Sequence, residues 1–528
     1  MARHLVLITL IAVPLAAACQ PDEAATDSAD VSTTEPSSTT SGSPEPTTAS
    51  SASSEASPGT TTAEATTVEP TSGESGSTAE PTSTATSVDD SSTNADAECG
   101  DGLVGGAEEC DDENRVSFDG CSAGCQIEVP IVRICAGASR TCVVDEMARL
   151  KCWGAGVLGN VGDEPGEMGA DLPFVDLGMD VQEITCQGHF CALGSEGQVK
   201  CWGGAKGDYL GLGTTEFVGD DPDEMGDALP AVELGEAAVA IGNSARGTCA
   251  LLESGALKCW GYNAEGQLGL GDTATRGDSP GEMGAALPAI DLGDMSPTAV
   301  VAGHHANCAL DDLGRLKCWG MGVLLGLENW DLQGDEPADM GDALPFVDVG
   351  AGAEIAQASA TDGTTCVVLV DGRLKCWGED DGSHVLWPFA SSTYYGWMPG
   401  EMGDDLPAYD LGPSKAIAVA TGRHSACVQL ENKSLKCWGG NTFGLMGTGS
   451  DVAWPGSPLA QVPAIDLGDG ETVERFSHGF HHACAIVSGG RVKCWGDNGG
   501  GELGYGDTNH RGDEPDEMGD ALPYVEIF

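Results

Sequence analysis

The sequence predicts an all-β fold in which a β-propeller follows a small disulfide-rich module and a disordered N-terminal tether. Glycine is abundant, at 77 of 528 residues, and aromatic residues make up only 5% of the chain. This mixture favours short strands and turns over long helices. Seven cysteine pairs recur at one constant spacing, and successive pairs start 49 to 61 residues apart, which is in the range of propeller blades.

Residues 1–18 have the pattern of an export signal. Arg3 supplies a positive start, an apolar stretch follows, and three alanines precede Cys19. The segment Leu-Ala-Ala-Ala-Cys that ends at Cys19 resembles a bacterial lipoprotein signal, which implies that this cysteine is lipidated. Without Cys19 the chain has 20 cysteines, an even number that can be paired. We therefore expect a lipid anchor at the bacterial outer membrane or cell surface; ordinary cleavage after Ala18 is the alternative.

Residues 19–98 are predicted to form a disordered tether. Ser, Thr, Pro, Glu, Asp and Ala dominate from Gln20 to Glu98, and 15 of these residues are acidic. Lys, Arg, Leu, Ile, Met and aromatic side chains are absent there, so the segment cannot bury enough apolar area to offset its chain entropy. A flexible chain of this length spans roughly 50 Å, which would hold a domain away from a membrane.

Residues 99–128 are predicted to form a small module held by two disulfides, because about 30 residues cannot build a sufficient core. Its cysteines are Cys99, Cys110, Cys121 and Cys125, and the sequence does not choose among their three possible connectivities. Their spacing, the glycines and the run Cys-Asp-Asp-x-Asn resemble the myxobacterial-type cysteine-rich repeat of secreted and surface proteins. Oxygen-bearing side chains here are candidate calcium ligands, although solvated turn residues explain them equally. These candidates are Asp101, Asp111, Asp112, Asn114 and Asp119.

Fourteen further cysteines form seven pairs with ten-residue spacing, and each second member lies in the tetrapeptide Lys-Cys-Trp-Gly. Folding the chain about Ser254 gives a hairpin with a three-residue loop, in which Cys249 and Cys259 face each other on antiparallel strands. Zinc binding is the rival hypothesis, but zinc knuckles have closer cysteine spacing. We therefore predict seven cross-strand disulfides. The pairs are Cys142–Cys152, Cys191–Cys201, Cys249–Cys259, Cys308–Cys318, Cys366–Cys376, Cys427–Cys437 and Cys484–Cys494.

The third position of such a loop requires a left-handed backbone, usually glycine. Five of the seven hairpins have glycine there, whereas the first and sixth have Ala148 and Lys433. Those two turns are expected to be strained or differently closed. The two remaining cysteines, Cys135 and Cys186, occupy equivalent positions in the first and second repeats. An inter-blade disulfide between them is the natural prediction.

The repeat as a whole resembles the regulator of chromosome condensation repeat, most closely in the third copy, Cys-Ala-Leu-Leu-Glu-Ser-Gly-Ala-Leu-Lys-Cys-Trp-Gly-Tyr-Asn-Ala-Glu-Gly-Gln-Leu-Gly-Leu-Gly-Asp. The resemblance spans residues 129–528 and implies a seven-bladed β-propeller with four short strands per blade. Each tryptophan of the tetrapeptide, such as Trp260, is expected in the core between blades. The founder's nucleotide-exchange and chromatin roles are not transferred, because a net charge of −60 opposes nucleic acid binding and fold does not fix function.

No catalytic residue is predicted, and we expect no enzyme. Several repeats place a histidine just before the first hairpin cysteine, namely His189, His305, His424, His481 and His482. Recurrence favours a turn-stapling role over catalysis or metal binding, because a catalytic site needs one constellation. Nucleophile, phosphate-loop and zinc-protease motifs are absent from the sequence.

An acidic segment recurs before the end of six repeats, and the sixth repeat has Trp-Pro-Gly-Ser-Pro-Leu-Ala-Gln-Val-Pro in its place. Glu/Asp-Met-Gly occurs in six copies, at Met168, Met225, Met283, Met340, Met402 and Met518. If these segments are functional, they form an acidic surface that binds Ca²⁺ or a basic partner. If they are structural, each is a solvated loop whose methionine packs into the blade. The seven lysines of Lys-Cys-Trp-Gly are expected to neutralise these acids.

These observations predict a non-enzymatic, monomeric scaffold that binds or adheres to an extracellular protein or glycan and has no nucleic acid partner. One alternative is an extracytoplasmic enzyme inhibitor, because a bacterial β-lactamase inhibitor uses a similar propeller. The other is an extracellular enzyme housed in the propeller.

Overall fold

The computed structural model describes residues 121–122, 128–155, 161–203, 209–380, 385–386, 394–453 and 458–528. Contacts divide the chain into two compact units, Met1–Glu23 with Asn94–Phe528 and Ala24–Thr93, and every described residue belongs to the first. The predicted signal, the tether and most of the cysteine-rich module therefore lie outside the described residues, although Cys121 is seen to be disulfide-bonded. The same holds for Cys19 and for the candidate calcium ligands Asp101, Asp111, Asp112, Asn114 and Asp119.

Seven antiparallel sheets follow one another along the described chain, each a meander in chain order. We number them as blades 1 to 7. Blades 1 to 3 contain β1 Ile131–Ala136, β2 Arg140–Asp145 and β3 Leu150–Gly154; β4 Val181–Thr185, β5 Phe190–Gly194 and β6 Val199–Trp202; β7 Ala238–Asn243, β8 Gly247–Leu252 and β9 Leu257–Gly261. Blades 4 and 5 contain β10 Pro297–Ala302, β11 Ala306–Asp311 and β12 Leu316–Gly320; β13 Ile355–Ala360, β14 Thr364–Leu369, β15 Leu374–Glu379 and β16 Tyr394–Tyr395. Blades 6 and 7 contain β17 Ala416–Thr421, β18 Ser425–Leu430 and β19 Leu435–Gly439; β20 Val473–His478, β21 His482–Val487 and β22 Arg491–Gly496.

Helical structure in the described residues is confined to short 3₁₀ turns, so the all-β prediction is confirmed. These turns are Gly169–Asp171, Pro222–Glu224, Gly226–Ala228, Gly322–Leu324, Gly341–Ala343, Gly403–Asp405, Thr442–Gly444, Leu459–Gln461 and Gly519–Ala521. Within the described ranges, no helix has the length and apolar character needed to cross a bilayer.

The hairpin between the second and third strands closes in blades 1 and 6 as it does in blade 3, despite the missing glycine. The backbone N–H of Gly255 donates to the carbonyl of Leu252, and Ala148 makes the equivalent bond to Asp145. Ala148 and Lys433 accordingly adopt φ angles of 62° and 65°, beside 85° for Gly255. The tertiary structure thus imposes a left-handed conformation on two residues that rarely adopt it.

The cysteines are joined in the structure at the expected spacing. Each of the seven hairpins contains a disulfide whose Cα atoms lie 4.0–4.1 Å apart, which fits the narrow, non-hydrogen-bonded pair of an antiparallel ladder. The disulfide Cys135–Cys186 has a Cα separation of 6.0 Å. It links β1 of blade 1 to the turn after β4 of blade 2.

The resemblance implies a fourth strand in each blade, but in most blades the described residues form only an isolated β-bridge between two residues there. Six of the seven described sheets have three strands, and a single bridge such as Gly261 to Arg276 stands where the fourth would begin. Gly-Asp-x-Pro follows several of these bridges, and proline has no N–H to continue a ladder. The chain then returns to the third strand of the blade through a backbone hydrogen bond. In blade 1 the N–H of Val175 donates to the carbonyl of Leu150, and every other blade has an equivalent hydrogen bond.

The core consists of seven apolar clusters, one at each boundary between neighbouring blades, including that between blades 7 and 1. The tryptophans of Lys-Cys-Trp-Gly are buried in these clusters, as predicted. Five of their indole N–H groups donate to a carbonyl of the preceding blade, for example Trp319 to Gln267 at 2.9 Å. The seven blades therefore form one closed ring.

Candidate functional site

The two ends of the blades carry different side chains. Turns between the first and second strands lie at one end, and the hairpin loops between the second and third strands lie at the other. The first set, which we call the turn face, holds five histidines, two arginines and a single aspartate. The hairpin loops hold six acidic residues, four basic residues and no histidine. The turn face comprises residues 137–139, 186–189, 244–246, 303–305, 361–363, 422–424 and 479–481.

Three histidines at or beside the turn face join neighbouring blades. His189 Nε2 lies 2.7 Å from Thr248 Oγ1, and His482 Nε2 lies 2.9 Å from Thr141 Oγ1. His478 makes the same kind of contact with a serine hydroxyl of blade 6, at 2.8 Å. Burial lowers the pKa of His189 and His482 to about 3 and that of His478 to about 4. These side chains are neutral structural links, and for His189 and His482 this agrees with the predicted structural role.

His304 and His305 form a different arrangement with residues of three other blades. Nδ1 of His304 lies 2.6 Å from Oδ1 of Asp362, in the turn of blade 5. Nδ1 of His305 lies 2.6 Å from Oε2 of Glu265, in the segment that follows β9 of blade 3. Arg423 of blade 6 places its Nε 3.6 Å from the second carboxylate oxygen of Asp362. The two imidazole rings lie 4.2 Å apart.

His304 has an unsatisfied ring nitrogen beside an open cavity. The side chain is 9% exposed, and its Nε2 is buried without a hydrogen-bond partner. Burial lowers the pKa of His304, and the hydrogen bond that its Nδ1–H donates to Asp362 opposes that shift. The cavity of about 260 Å³ is lined by His304, His305, Asp362, Gly363, Thr364, Glu379 and Arg423.

Of these residues, only His305 belongs to the histidines that the sequence singles out; His304 and Asp362 were missed. Asp362 stands 58 residues after His304, and neither side chain belongs to a motif. An alignment of the seven turns would have shown a signal, because blade 4 has Gly-His-His and blade 5 has Thr-Asp-Gly at the corresponding place. The other histidines are scattered: His424 and His481 lie in the turns of blades 6 and 7, and their ring centroids are 6.4 Å apart.

The acid of each Glu/Asp-Met-Gly segment is used within its own loop. Oε2 of Glu282 accepts the backbone N–H groups of Gly277 and Ser279 at 2.9 and 3.1 Å. The corresponding acids in the other five segments also accept backbone N–H groups. Met283, Met340 and Met402 are buried, which supports the structural interpretation of these segments.

The lysines of Lys-Cys-Trp-Gly donate hydrogen bonds to backbone carbonyls, while acids such as Asp342 near Lys317 interact with them electrostatically, in agreement with the expected neutralising role. Nζ of Lys317 donates to the carbonyl of Gly341 in its own blade and to that of Leu292 in the preceding blade, at 2.8 and 2.9 Å. Six of the seven lysines make both bonds. Burial lowers the pKa of Lys317. These lysines join neighbouring blades.

Two known family models match parts of the chain. Residues 237–267 and 475–502 match the regulator of chromosome condensation (RCC1) repeat. Residues 89–126 match DUF4215, a domain of unknown function, which is compatible with the predicted cysteine-rich module.

Relatives and solved structures agree with the repeat type. The ultraviolet-B receptor UVR8 of Arabidopsis thaliana is 25% identical over 357 residues, which cover 65% of this chain and 73% of the receptor. The human E3 ubiquitin-protein ligase HERC2 is 27% identical over 62% of this chain, but the match spans 6% of the ligase. The crystal structure of human WBSCR16 superposes with a TM-score of 0.51 and 18% identity, over 67% of this chain and 84% of that one. This likeness shows the fold.

Proposed function

We propose that this chain, an RCC1-like β-propeller, is a non-enzymatic scaffold that holds an extracellular protein partner on its turn face. The observation that carries the proposal is the composition of that face. In a chain with 83 acidic and 23 basic residues, the seven turns contain five histidines, two arginines and one acid. Because neutral histidines replace acids there and two arginines face one aspartate, this end is much less acidic than the rest of the chain, which favours a partner with exposed carboxylates.

Arginine beside aromatic rings makes the turn face suited to a protein. The guanidinium of Arg423 lies 4.7 Å from the ring centroid of Phe480, and that of Arg246 lies 5.2 Å from the ring of Tyr262. Arginine and aromatic side chains dominate the binding energy of protein interfaces. We therefore favour a protein with exposed carboxylates as the partner, and a glycan is the other outcome of the test.

The turns are held in place by contacts between blades. Cys135–Cys186 fixes the turn of blade 2 against β1, and the backbone N–H of Ala136 donates to Ser477 Oγ at 2.8 Å. A surface that is already ordered loses little conformational entropy when it binds. This arrangement supports recognition by a preformed face.

Two arginines provide a matched test of the binding face. Arg423 on the turn face and Arg373 on the hairpin loops are both partly exposed, and each pairs with an aspartate. The full chain, immobilised, is incubated with surface and secreted material from its own cells, and captured partners are identified. Arg423→Ala should reduce capture at least about tenfold, and Arg373→Ala should leave it unchanged. Equal effects would contradict the proposal, and loss of capture after deglycosylation of the material would identify a glycan.

The proposed location depends on Cys19 and the tether. Lipidation of Cys19 would place the propeller at the outer membrane or cell surface, with residues 19–98 as a spacer. Cys19→Ser should move the protein from the membrane fraction to the soluble fraction and abolish incorporation of labelled palmitate. Membrane association that survives the substitution would exclude this anchor.

A further inference from the structure

We propose that His304, His305 and Asp362 form a binding site for one divalent transition-metal ion of the Zn²⁺ class. One ligand atom from each residue lies within 4.8 Å of the other two. A tetrahedral zinc ion with bonds of about 2.1 Å separates its ligand atoms by roughly 3.4 Å. Binding would require small side-chain rotations, in which the ion replaces the hydrogen bond between His304 Nδ1 and Asp362 Oδ1. The inference goes beyond the proposed function, since metal binding is measured without any partner.

The donor set matches zinc in its chemistry. Two imidazole nitrogens and one carboxylate oxygen are the ligands of zinc sites that keep a fourth position open for water or another ligand. Hard cations such as Ca²⁺ prefer oxygen ligands alone, so the two histidines disfavour calcium here. The cavity beside the three side chains provides space for the fourth ligand.

Glu265 has the position of a residue that hydrogen-bonds to a metal ligand and orients it. It holds Nδ1 of His305 at 2.6 Å, which leaves Nε2 of that ring as the available ligand atom. Metal-binding histidines almost always donate their other N–H group to a carboxylate, a carbonyl or water, and this fixes the ring orientation. Glu265 would therefore act as a positioning residue.

The Nε2 of His304 is buried without a partner, as are the Nδ1 atoms of His189, His478 and His482, but of these four side chains His304 is the one that lines the cavity beside other ligand groups. The side chain is nine-tenths buried and lines the cavity, yet this nitrogen has no hydrogen-bond partner. A buried polar atom without a partner is costly and rare in folded proteins. Because Nδ1 of this ring faces Asp362, an ion shared with Asp362 would bind at Nδ1, and a water molecule in the cavity would satisfy Nε2.

The constellation occurs once among the described blades, whereas structural side chains recur. The Nε2 atoms of His189 and His482 are hydrogen-bonded to threonine hydroxyls of adjacent blades. Blade 7 also has two adjacent histidines, His481 and His482, but the turn of blade 1 has Gly-Ala-Ser and no acid. Within the described residues, His304, His305 and Asp362 are the one group with metal-binding geometry.

The test uses the full chain with its disulfides intact, stripped of metal by a chelator and purified without a histidine tag. Calorimetric titration with ZnCl₂ should show one ion per chain, and CaCl₂ should show no binding at this site. X-ray absorption should show nitrogen and oxygen ligands at about 2.0–2.2 Å and no sulfur at about 2.3 Å. A sulfur signal, or no zinc binding up to 100 μM, would overturn the proposal.

Variants assign the site and separate ligation from folding. Asp362→Asn and His305→Gln retain the size of the side chain and should each weaken zinc binding by more than about 100-fold, whereas Glu265→Gln should weaken it by about 10- to 100-fold. His481→Gln, at the equivalent turn position of blade 7, is the matched control and should bind zinc as the parent does. Thermal unfolding of each variant without metal verifies the fold. Unchanged binding in Asp362→Asn and His305→Gln would refute the assignment.

Discussion

The backbone N–H of Gly169 donates to the carbonyl oxygen of Glu526 at 3.0 Å, and this bond joins blade 1 to the last residues of blade 7. The same bond occurs at five other boundaries, where the backbone N–H of the glycine that follows each methionine donates to the carbonyl of an acidic residue in the preceding blade. At the boundary of blades 5 and 6, the backbone N–H of Ala460 is the donor. The ring is therefore closed by a copy of the bond that joins every pair of neighbours. The C-terminal segment takes part in this closure as a structural element.

Removing apolar contact at the closure should destabilise the whole ring. Ile527 is 5% exposed and belongs to the cluster between blades 7 and 1. Ile527→Ala should lower the free energy of unfolding by about 2–4 kcal/mol, because it deletes buried methyl groups and leaves a cavity. Urea unfolding measures the change.

Glu526→Ala is the matched control for this prediction. Its side chain is exposed and only its backbone carbonyl makes the bond to Gly169, so it should change stability by less than about 0.5 kcal/mol. Equal effects of the two substitutions would show that the C-terminal segment does not close the ring.

The sequence predicted those features whose chemistry is carried by side chains in a constant register. The pair Cys249 and Cys259 follows from spacing, because a hairpin brings residues near in sequence face to face, and the burial of the tryptophan after it follows from the resemblance to the repeat family. The carbonyls that accept hydrogen bonds from Lys317 could not be predicted, because backbone groups leave no trace in a sequence. The contact of His304 with Asp362 joins non-equivalent residues of two repeats, and only the closed ring brings them together.

The two kinds of disulfide should contribute differently to stability. Cys249–Cys259 closes a loop with a sequence separation of 10, and Cys135–Cys186 one with a separation of 51. In the chain-entropy account, the loss of stability is about 3 kcal/mol for the short loop and about 4 kcal/mol for the long one. Paired Cys→Ala variants, compared by urea unfolding under oxidising conditions, measure the difference. A larger effect of the hairpin pair would contradict this account.

The lysine of the repeated tetrapeptide should be important for stability through its hydrogen bonds. Lys317→Met keeps the aliphatic stem but leaves the carbonyls of Leu292 and Gly341 without the donor they share. We expect a loss of about 2–4 kcal/mol, since buried acceptors that lose their partner retain the cost of desolvation. Lys415→Met, at an exposed position of blade 6, is the control and should change stability by less than about 0.5 kcal/mol. Thermal or urea unfolding at pH 7 compares the two, and similar losses would show that the inter-blade bonds of Lys317 are dispensable.

The buried histidines should make the propeller less stable in acid. His189 has a folded-state pKa of about 3, whereas a histidine in an unfolded chain titrates near pH 6.5. Between about pH 3 and pH 6.5 the unfolded state therefore binds more protons than the folded state. The contribution of the neutral His189 to the free energy of unfolding is complete above about pH 6.5 and is lost as the pH falls toward 3. At pH 5 the loss is about 2 kcal/mol for each such histidine relative to pH 7. His189→Gln removes the titration and should make the decrease between pH 7 and pH 5 shallower by about this amount in urea unfolding at constant ionic strength. His482→Gln, at the boundary of blades 7 and 1, should make the decrease in stability between pH 7 and pH 5 shallower by a similar amount. An unchanged pH dependence in both variants would show that these side chains are not held neutral.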